Sequence, residues 1–229
     1  MTKEEYFGDW LRVIEPTTLA SIIPVINRLY QSQSVMPKYE DIFKAFHICP
    51  YNKLKAVFIG QDPYPQKGVA TGILFGNKED TCQLSPSLEV VKEACIDYTI
   101  PHGQIQFDVT LETWARQGIL MINSALTVKQ DTPNSHTMLW RPFISKLLKN
   151  LSNTETGIIY VLFGEQAKTF RPYIYNKYNH ILEEQHPAYY ARTKTKMPPR
   201  LFKYINRLIV NRYGEPIEWY KEDMHIVHE

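Results

Sequence analysis

The sequence predicts an α/β fold: a single domain with a central four-stranded, parallel, twisted sheet flanked by helices on both faces. Four short runs rich in β-forming apolar residues recur along the 229 residues, and most are continuous rather than alternating, which is typical of parallel strands buried on both faces. Helical stretches separate these runs, and strand–helix–strand alternation favours a parallel sheet covered by helices. Neither a linker nor an internal repeat divides the chain, so residues 1–229 are expected to form one domain.

The first fifty residues are predicted to be helical. One helix covers residues 19–31, with Thr17 or Thr18 as its cap, and Pro24 predicts a kink or a break within it. A second, short helix covers residues 39–49, where apolar side chains recur on one face.

The rest of the chain alternates between strands and helices. The predicted strands cover residues 54–60, 118–126, 157–164 and, with a weaker pattern, 179–186. The predicted helices between them cover residues 87–98, 138–151 and 165–178. In open sheets of this kind, ligands bind just outside the carboxyl ends of the strands.

Polar residues stand at those strand ends. Gln61 and Asp62 follow the first run, Asn123 lies near the end of the second, and His186 closes the fourth. An Asp before Pro, or an Asn at a strand end, is by itself an ordinary turn residue. Because the carboxyl ends of parallel strands share one edge of a sheet, a carboxylate, a carboxamide and an imidazole are nevertheless expected at a common rim.

Several other chemistries are disfavoured. The three cysteines form no CxxC pair and are too few for a four-cysteine zinc or iron–sulfur site, and the histidines form no HxH or HExxH pattern. No GxSxG, P-loop or GxGxxG motif is present either. We therefore expect neither a metal nor a cofactor.

The start of the chain and its composition give expectations about its compartment. The segment MTKEEYFGDW is neither a secretory signal nor an Arg-rich transit peptide. No apolar run reaches the roughly 18–20 residues that span a bilayer, and unpaired thiols favour a reducing compartment. We expect a protein without membrane association that is cytoplasmic, or nuclear in a eukaryotic host, and not secreted.

Several segments resemble, in the correct order, the motifs of one family. GQDPY at 60–64 is similar to the water-activating loop of uracil-DNA glycosylases of the metal-free, family 1 type, and Phe75 matches the family's base-stacking aromatic. LSPSLEVVKEA around Ser87 resembles the loop that pins DNA phosphates, and WARQGILMINSALTV around Asn123 resembles the uracil-reading motif. SHTMLWRPF, YVLFGEQAK and the HP pair at 186–187 are similar to the segments that follow. The resemblance covers nearly the whole chain and identifies it as a divergent member.

The resemblance implies hydrolysis of the N-glycosidic bond of uracil in DNA. The target nucleotide would be flipped out of the duplex, and the reaction would leave an abasic site, the first step of base excision repair. Asp62 would position the attacking water and place negative charge near the sugar cation. His186, as a neutral imidazole, would donate a hydrogen bond to the uracil oxygen on which negative charge develops.

The resemblance also implies how the base is selected. Asn123 would pair with the N3–H and O4 of uracil, and Tyr64 would fill the space beside C5 so that a thymine methyl group clashes. Phe75 would stack on the flipped ring. The backbone around Gln61 would add a hydrogen bond to the base.

DNA contacts are expected along the rim and the segment after His186. The expected DNA-binding residues are Pro63, Ser87, Gly164, Pro187, Tyr189, Tyr190, Arg192 and Lys194. Tyr190 aligns with the family's leucine that enters the vacated base stack, so it is predicted to be the wedge, with Tyr189 as the weaker candidate. Residues 187–214 contain seven Lys and Arg and no Asp or Glu, which predicts that a DNA backbone lies along them.

Two departures from the family pattern lie in the expected site. Pro65 stands where many members have His, and Pro supplies no N–H donor. Glu165 stands where Ser is usual. Its carboxylate would repel a DNA phosphate, so it is expected to point away or to belong to a different loop.

The partners that this interpretation implies are uracil-containing single-stranded and double-stranded DNA, bound by a monomer. A protein inhibitor that mimics DNA, where one binds, is expected at the same cleft. Two alternatives are a non-catalytic DNA-binding or replication-accessory protein on the same fold and a sister glycosylase of broader base choice. The intact Asp62, Asn123 and His186 argue against the first, and Tyr64 and Asn123 argue against the second.

Overall fold

A parallel sheet forms the centre of the computed structural model, which describes residues 3–96, 103–175 and 177–223. In this part of the chain the strands are β1 (Val35–Met36), β2 (Ala56–Gly60), β3 (Gln104–Gln106), β4 (Ile119–Asn123), β5 (Val128–Lys129), β6 (Ile159–Phe163), β7 (His180–Glu184) and β8 (Lys221–Asp223). The central sheet has four parallel strands in the order β4-β2-β6-β7, which confirms the predicted sheet. Each of these strands lies inside one of the four predicted runs.

Burial explains why these runs form a parallel sheet. Every residue of β2 and β6 is buried, as are the first four residues of β4. Because successive side chains in a strand point to opposite faces, the sheet is covered on both sides. The edge strand β7 is partly exposed, which accounts for its weaker apolar pattern.

The helices surround this sheet. Within the described residues they are α1 (Lys3–Phe7), α2 (Pro16–Ser32), α3 (Lys44–Ile48), α4 (Pro86–Cys95), α5 (Glu112–Arg116), α6 (Thr137–Thr154), α7 (Gly164–Lys168), α8 (Pro187–Thr193) and α9 (Arg200–Tyr213). None of these is long and apolar enough to cross a membrane. The sequence assigned no element to α9, which buries one apolar face in the core.

Helix α2 differs from its prediction in two ways. It continues through Pro24 without a break, and it begins at Pro16, preceded by Glu15 as N-cap, so neither Thr17 nor Thr18 caps it. Proline is favoured at the first helical position because its missing N–H needs no partner there. Burial of the apolar face of α2 offsets the hydrogen bond that Pro24 cannot make.

Two other predicted helices are shorter than expected. The helix predicted at 39–49 is divided into a 3-10 turn, Tyr39–Asp41, and α3. The helix predicted at 165–178 ends with α7, and a 3-10 turn, Arg171–Tyr173, follows. Pro172 lies in that turn, and its ring cannot continue an α-helix.

The strand order places a crevice at the end of β2. The chain runs from β2 to its neighbour β4 on one side and then returns to β6 on the other side. The connection that follows β2 leads to β4 on one side, and the connection that follows β6 leads to β7 on the other side, so the connections diverge between the carboxyl ends of β2 and β6. Open α/β sheets bind ligands at such a point.

Candidate active site

A cavity of about 540 Å³ opens at the carboxyl ends of the central strands, a volume typical of a small-molecule site. Its walls contain most of the predicted site residues: Gln61, Asp62, Pro63, Tyr64, Phe75, Ser87, Asn123, Gly164, His186, Tyr189 and Arg192. The other predicted residues, Pro187, Tyr190 and Lys194, are within the described chain but do not line this cavity. Side chains from five separate segments therefore meet as the sequence predicted.

Asp62 lies in the loop after β2 and is held by a backbone donor. The backbone N–H of Asn134 donates to Asp62 Oδ2 at 2.6 Å. Burial raises the pKa of the Asp62 carboxyl above its ordinary value, and the hydrogen bonds from Asn134 and Gln61 oppose that rise. The result is a fixed carboxylate that is more basic than an exposed one.

Asn134 is a residue that sequence analysis missed. Its side chain also accepts a hydrogen bond from Gln61 Nε2 at 2.8 Å, so one residue holds both members of the Gln61–Asp62 pair. Asn134 has a φ of +65°, a left-handed conformation that Asn adopts more readily than most residues. Its place in the turn-forming segment TPNS is the signal that marks such a position.

Asn123 ends β4 and points a free acceptor at the site. Its Oδ1 is buried and has no hydrogen-bond partner among the described residues. The neighbouring strand leaves room for it, because Gly60 pairs with Asn123 and a Cβ on Gly60 would lie 2.8 Å from Asn123 Oδ1. A buried acceptor without a partner is costly, so this atom indicates a ligand that brings an N–H donor.

Tyr64 and Phe75 form one wall of the cavity and are tied together. The Tyr64 hydroxyl donates to the Phe75 carbonyl at 3.2 Å. Burial raises the pKa of Tyr64, so the hydroxyl stays protonated and remains a donor. Phe75 has a φ of +63°, which is rare for a residue with a bulky side chain and is found mostly at functional sites.

His186 is held as a neutral imidazole that carries its proton on Nε2. It is the N-cap of α8, and its Nδ1 accepts the backbone N–H of Ala188 at 3.2 Å. Burial lowers the pKa of His186 to about 4, so the ring is neutral at physiological pH and Nε2 carries the proton. The edge of the Phe75 ring packs against the imidazole, with 5.5 Å between ring centroids.

Gly164 leaves space for the side chain of His186. It has a φ of +85°, and a Cβ at this position would lie 2.9 Å from His186 Cβ. Glycine is therefore required here by both backbone conformation and close approach. Its predicted contact with DNA stays a prediction.

The two adjacent tyrosines of α8 lie in different environments. Tyr190 is only 9% exposed, and its hydroxyl donates to Glu184 Oε1 at 2.6 Å. Tyr189 is 41% exposed and lines the cavity. The structure thus presents Tyr189 to the cavity and packs Tyr190 away from it, and which of the two enters a base stack stays a prediction. Pro187 is buried at the first position of α8, where proline favours the start of a helix.

The basic residues of segment 187–214 lie in two different parts of the structure. Arg192 lines the cavity, and Lys194 lies exposed just beyond it, where it ends α8 with a φ of +54°. Arg212 instead lies with Gly157 and His180 in a separate cavity at the amino end of β7. Arg212 is therefore at the opposite end of the sheet from Arg192, and a DNA path along this segment stays a prediction.

The two departures from the family pattern have local partners. Glu165 accepts from Lys168 Nζ at 2.6 Å, so a neighbouring cation offsets its negative charge. The Pro65 carbonyl accepts the backbone N–H of Asp131 at 3.0 Å, which joins this loop to the turn before Asn134. Among residues 3–96, 103–175 and 177–223, no group of three or more His, Cys, Asp or Glu side chains is arranged to hold a metal ion.

Comparisons with known proteins show which family the chain belongs to. A family model described as the uracil DNA glycosylase superfamily matches residues 46–209. A protein of Fusobacterium nucleatum named uracil-DNA glycosylase is 30% identical over 225 residues, covering 96% of this chain and 98% of that protein. A protein of Alkaliphilus metalliredigens that is also named uracil-DNA glycosylase is 32% identical over 221 residues, covering 93% of this chain and 94% of that protein.

Solved structures show the same fold. Mimivirus uracil-DNA glycosylase superposes with a TM-score of 0.78 at 24% identity, covering 96% of this chain and 87% of that one. A single-residue variant of mimivirus UNG in complex with UGI also has a TM-score of 0.78, at 23% identity and with 96% and 89% of the two chains covered. Because the family model covers most of the sequence and relatives at 30% identity or more align along nearly all of it, the chain belongs to the uracil DNA glycosylase superfamily.

Proposed function

We propose that this protein hydrolyses the N-glycosidic bond of uracil in DNA by flipping the base into the cavity, and that it leaves an abasic site. The observation that carries the proposal is the buried, unpartnered Oδ1 of Asn123 in a cavity that also contains Asp62 and His186. The names of the relatives support the same activity.

Asn123 selects the base through its hydrogen-bonding pattern. Its Oδ1 accepts the N3–H of uracil and its Nδ2 donates to O4. Cytosine presents an unprotonated N3 and an amino group at these positions, so an acceptor would face the Asn123 Oδ1 and a donor would face its Nδ2. Each buried polar group left unpaired costs about 1–3 kcal/mol, which is enough for discrimination of one to two orders of magnitude per group.

Tyr64 and Phe75 shape the pocket around the ring. Phe75 provides a flat apolar surface for stacking, and its left-handed backbone presents the ring at the cavity wall. Tyr64 is fixed by its hydrogen bond to the Phe75 carbonyl, so it cannot easily move aside for a C5 methyl group. Exclusion of thymine follows from this rigidity.

Asp62 and His186 act on the two charges that form as the bond breaks. The electron pair of the glycosidic bond passes to uracil N1, which leaves an anionic base and a cationic sugar. The Asp62 carboxylate orients water toward C1′, stabilises the cation and accepts the proton that the water loses. His186 Nε2–H donates to the uracil oxygen that gains charge, and a donor of this kind is worth about 3–4 kcal/mol.

DNA binding in this proposal uses the rim of the cavity. Ser87 is buried in the first turn of α4 and lines the cavity together with Pro86. Pro86 has no N–H, and the backbone N–H groups of Leu88 and Glu89 donate to the Ser85 carbonyl, so the proposal assigns a phosphate to the Ser87 backbone N–H. Arg192 supplies a positive charge on the same rim. The proposal extends to single-stranded and double-stranded substrates, to action as a monomer, and to binding of a DNA-mimicking inhibitor at this cleft.

Release of free uracil from defined oligonucleotides tests the function. Single-stranded uracil, U:A and U:G substrates should each yield uracil and an alkali-labile abasic site, whereas a T:G duplex should yield no thymine. The Asp62→Asn variant should retain DNA binding and lose most of the release. Binding without release by the wild type would identify a non-catalytic DNA-binding protein, and release of thymine would identify a glycosylase of broader base choice; either result would overturn the proposal.

A further inference from the structure

Asn77 is a buried carboxamide close to the cavity wall, and the proposed mechanism gives it no role. It follows Phe75 by two residues and is only 1% exposed. Its Oδ1 accepts the backbone N–H of Ser85 at 2.7 Å, and its Nδ2 donates to Ser85 Oγ at 2.8 Å. Its own backbone N–H donates to the Val109 carbonyl at 2.9 Å, so both the backbone and the side chain of Asn77 are held in place.

Ser85 is the N-cap of α4, yet its hydroxyl does not cap the helix. A serine at this position ordinarily accepts a backbone N–H of the first turn through its side chain. Here the backbone N–H groups of Leu88 and Glu89 donate to the Ser85 carbonyl, and the hydroxyl makes no cap hydrogen bond. The hydroxyl is instead directed to Asn77 and Tyr64.

The hydrogen bonds of this group all run in one direction. A carboxamide nitrogen can only donate, so Ser85 Oγ is the acceptor and keeps its own proton for another partner. That partner is the Tyr64 oxygen: burial raises the pKa of Tyr64, and hydrogen bonds from the Ser85 and Ser87 side chains oppose the rise. Tyr64 in turn donates to the Phe75 carbonyl at 3.2 Å. Asn77 therefore begins a chain of hydrogen bonds that ends at the cavity wall.

We propose that Asn77 is a positioning residue that holds Tyr64 through Ser85, and that it thereby determines how strictly the pocket excludes substituents at C5 of the base. The inference rests on the proposed function, in which Tyr64 lies beside C5. A clash rejects a substituent only if the side chain that causes it resists displacement. Successive hydrogen bonds in a buried network strengthen one another, so loss of the first one weakens the others. Without Asn77, the Ser85 hydroxyl can turn away from Tyr64, and the tyrosine moves away from C5 more easily.

The test measures kcat/KM on single-stranded DNA that contains uracil or 5-fluorouracil, so that duplex opening plays no part. Asn77→Ala should lower the selectivity for uracil over 5-fluorouracil by roughly three- to tenfold. That range lies below the roughly 10- to 200-fold selectivity that one methylene group provides, because fluorine is smaller than a methyl group. The intrinsic reactivities of the two bases are the same for every variant, so a change in their ratio reports on the pocket and not on the stability of the fold.

Ser85→Ala tests the route from Asn77 to Tyr64. It removes the hydroxyl and keeps the backbone N–H that Asn77 Oδ1 accepts, so the start of α4 remains attached. Its effect on the selectivity ratio should equal that of Asn77→Ala. The double variant should show no further change, because both residues act through Tyr64. Where Asn77→Ala does not fold, Ser85→Ala alone decides, since it removes a single hydroxyl group.

Asn206→Ala is the matched control. The Asn206 carboxamide also holds one residue by a donated and an accepted hydrogen bond, to the carbonyl and from the N–H of Ile217, both at 2.9 Å. Asn206 does not line the cavity. Its substitution should lower the melting temperature about as much as Asn77→Ala does and should leave the selectivity ratio unchanged.

The outcomes separate this inference from the proposed function. An unchanged ratio in Asn77→Ala or in Ser85→Ala, independent effects in the double variant, or an equal change in Asn206→Ala would each overturn the inference while uracil release by the wild type stood. Absence of uracil release by the wild type would overturn the proposed function, and this inference with it.

Discussion

Gly60 shows how a single backbone position shapes the cavity. A Cβ there would lie 2.3 Å from Leu74 Cδ1 and 2.8 Å from Asn123 Oδ1, both well inside van der Waals contact. The absence of a side chain at the end of β2 therefore leaves space for the carboxamide of Asn123 on the neighbouring strand at the cavity wall. In the sequence, this glycine is seen only as part of a loop motif. The reason that a glycine is needed at this position depends on the register between β2 and β4, which pairs Gly60 with Asn123.

We predict that Gly60→Ala lowers kcat/KM for uracil release by about tenfold to a hundredfold, because a displacement of about 1 Å in a positioning group has an effect of that size. Steady-state kinetics on single-stranded uracil DNA measures the change without involving duplex opening. Thermal unfolding of the same variant is the control. Unchanged kinetics would show that Leu74 and Asn123 adjust to the added methyl group without cost.

The opposite protonation behaviour of Asp62 and His186 gives a prediction about pH. Burial raises the pKa of Asp62, and activity needs its carboxylate, so kcat/KM should rise with pH through that raised pKa. Burial lowers the pKa of His186 to about 4, so the imidazole should be neutral throughout the range of about pH 5 to 8 in which an ordinary histidine titrates.

A pH–rate profile, together with the imidazole nitrogen shifts of His186, checks this assignment. The shifts should report a neutral ring protonated at Nε2 at pH 7, and His186→Gln should lower activity while leaving the acid limb in place. A profile in which wild-type activity falls with rising pH through about 6.5, the ordinary pKa of histidine, would instead require a protonated His186 and contradict the assignment.

The sequence could predict the site residues that contribute to the cavity through their own side chains. Asp62, Asn123 and His186 stand at the ends of three strands, which the apolar runs mark clearly for the first two and more weakly for the third. Asn134 was missed because its main contact to Asp62 uses a backbone N–H, a donor that every residue except proline has. The different environments of Tyr189 and Tyr190 could not be predicted, because identical neighbouring residues leave the orientation of a short helix undetermined until it packs.

At the scale of elements, helix α2 shows how packing overrides local propensity. Pro24 lies exposed in the middle of this 17-residue helix, yet the helix continues because Leu19, Ile22 and Ile26 are buried against the core. The central strands were predicted well for the same reason, since burial on both faces demands a continuous apolar run. The helices at 39–49 and 165–178 were predicted too long. An apolar face determines which side of a helix packs against the core, whereas the residue at which the helix ends depends on local backbone geometry.

We predict that Pro24→Ala stabilises the protein by about 1–2 kcal/mol. The change restores an N–H donor inside the helix and removes a clash, and the loss of proline's constraint on the unfolded chain offsets part of that gain. The melting temperature should rise by roughly 2–8 °C, with kcat/KM unchanged because no residue of α2 lines the cavity.

Pro16→Ala is the matched control for that substitution. Pro16 is at the first position of the same helix, where its missing N–H has no helical partner in any case, so its replacement should be neutral or slightly destabilising. Denaturant unfolding of both variants measures the difference. Equal effects of the two substitutions would show that the position of the proline within α2 does not matter.

For the whole molecule, charge is distributed more unevenly than the net charge of +2 indicates. Residues 187–214 contain seven basic and no acidic side chains, but the fold sends them to different places. Arg192 borders the cavity, whereas Arg212 lies at the amino end of β7. A run of charges in sequence therefore overstates the surface available to one DNA backbone.

The salt dependence of DNA binding distinguishes these two arginines. In the Asp62→Asn background, which should keep the DNA intact, Arg192→Ala should weaken binding to a uracil-containing duplex and reduce the slope of log K against log salt by about 0.9, the value for one lost phosphate contact. Arg212→Ala removes the same charge from the opposite end of the sheet and should leave the slope unchanged. Because both variants have the same net charge, a general electrostatic effect would change both slopes equally, and that result would contradict a DNA path along the cavity rim.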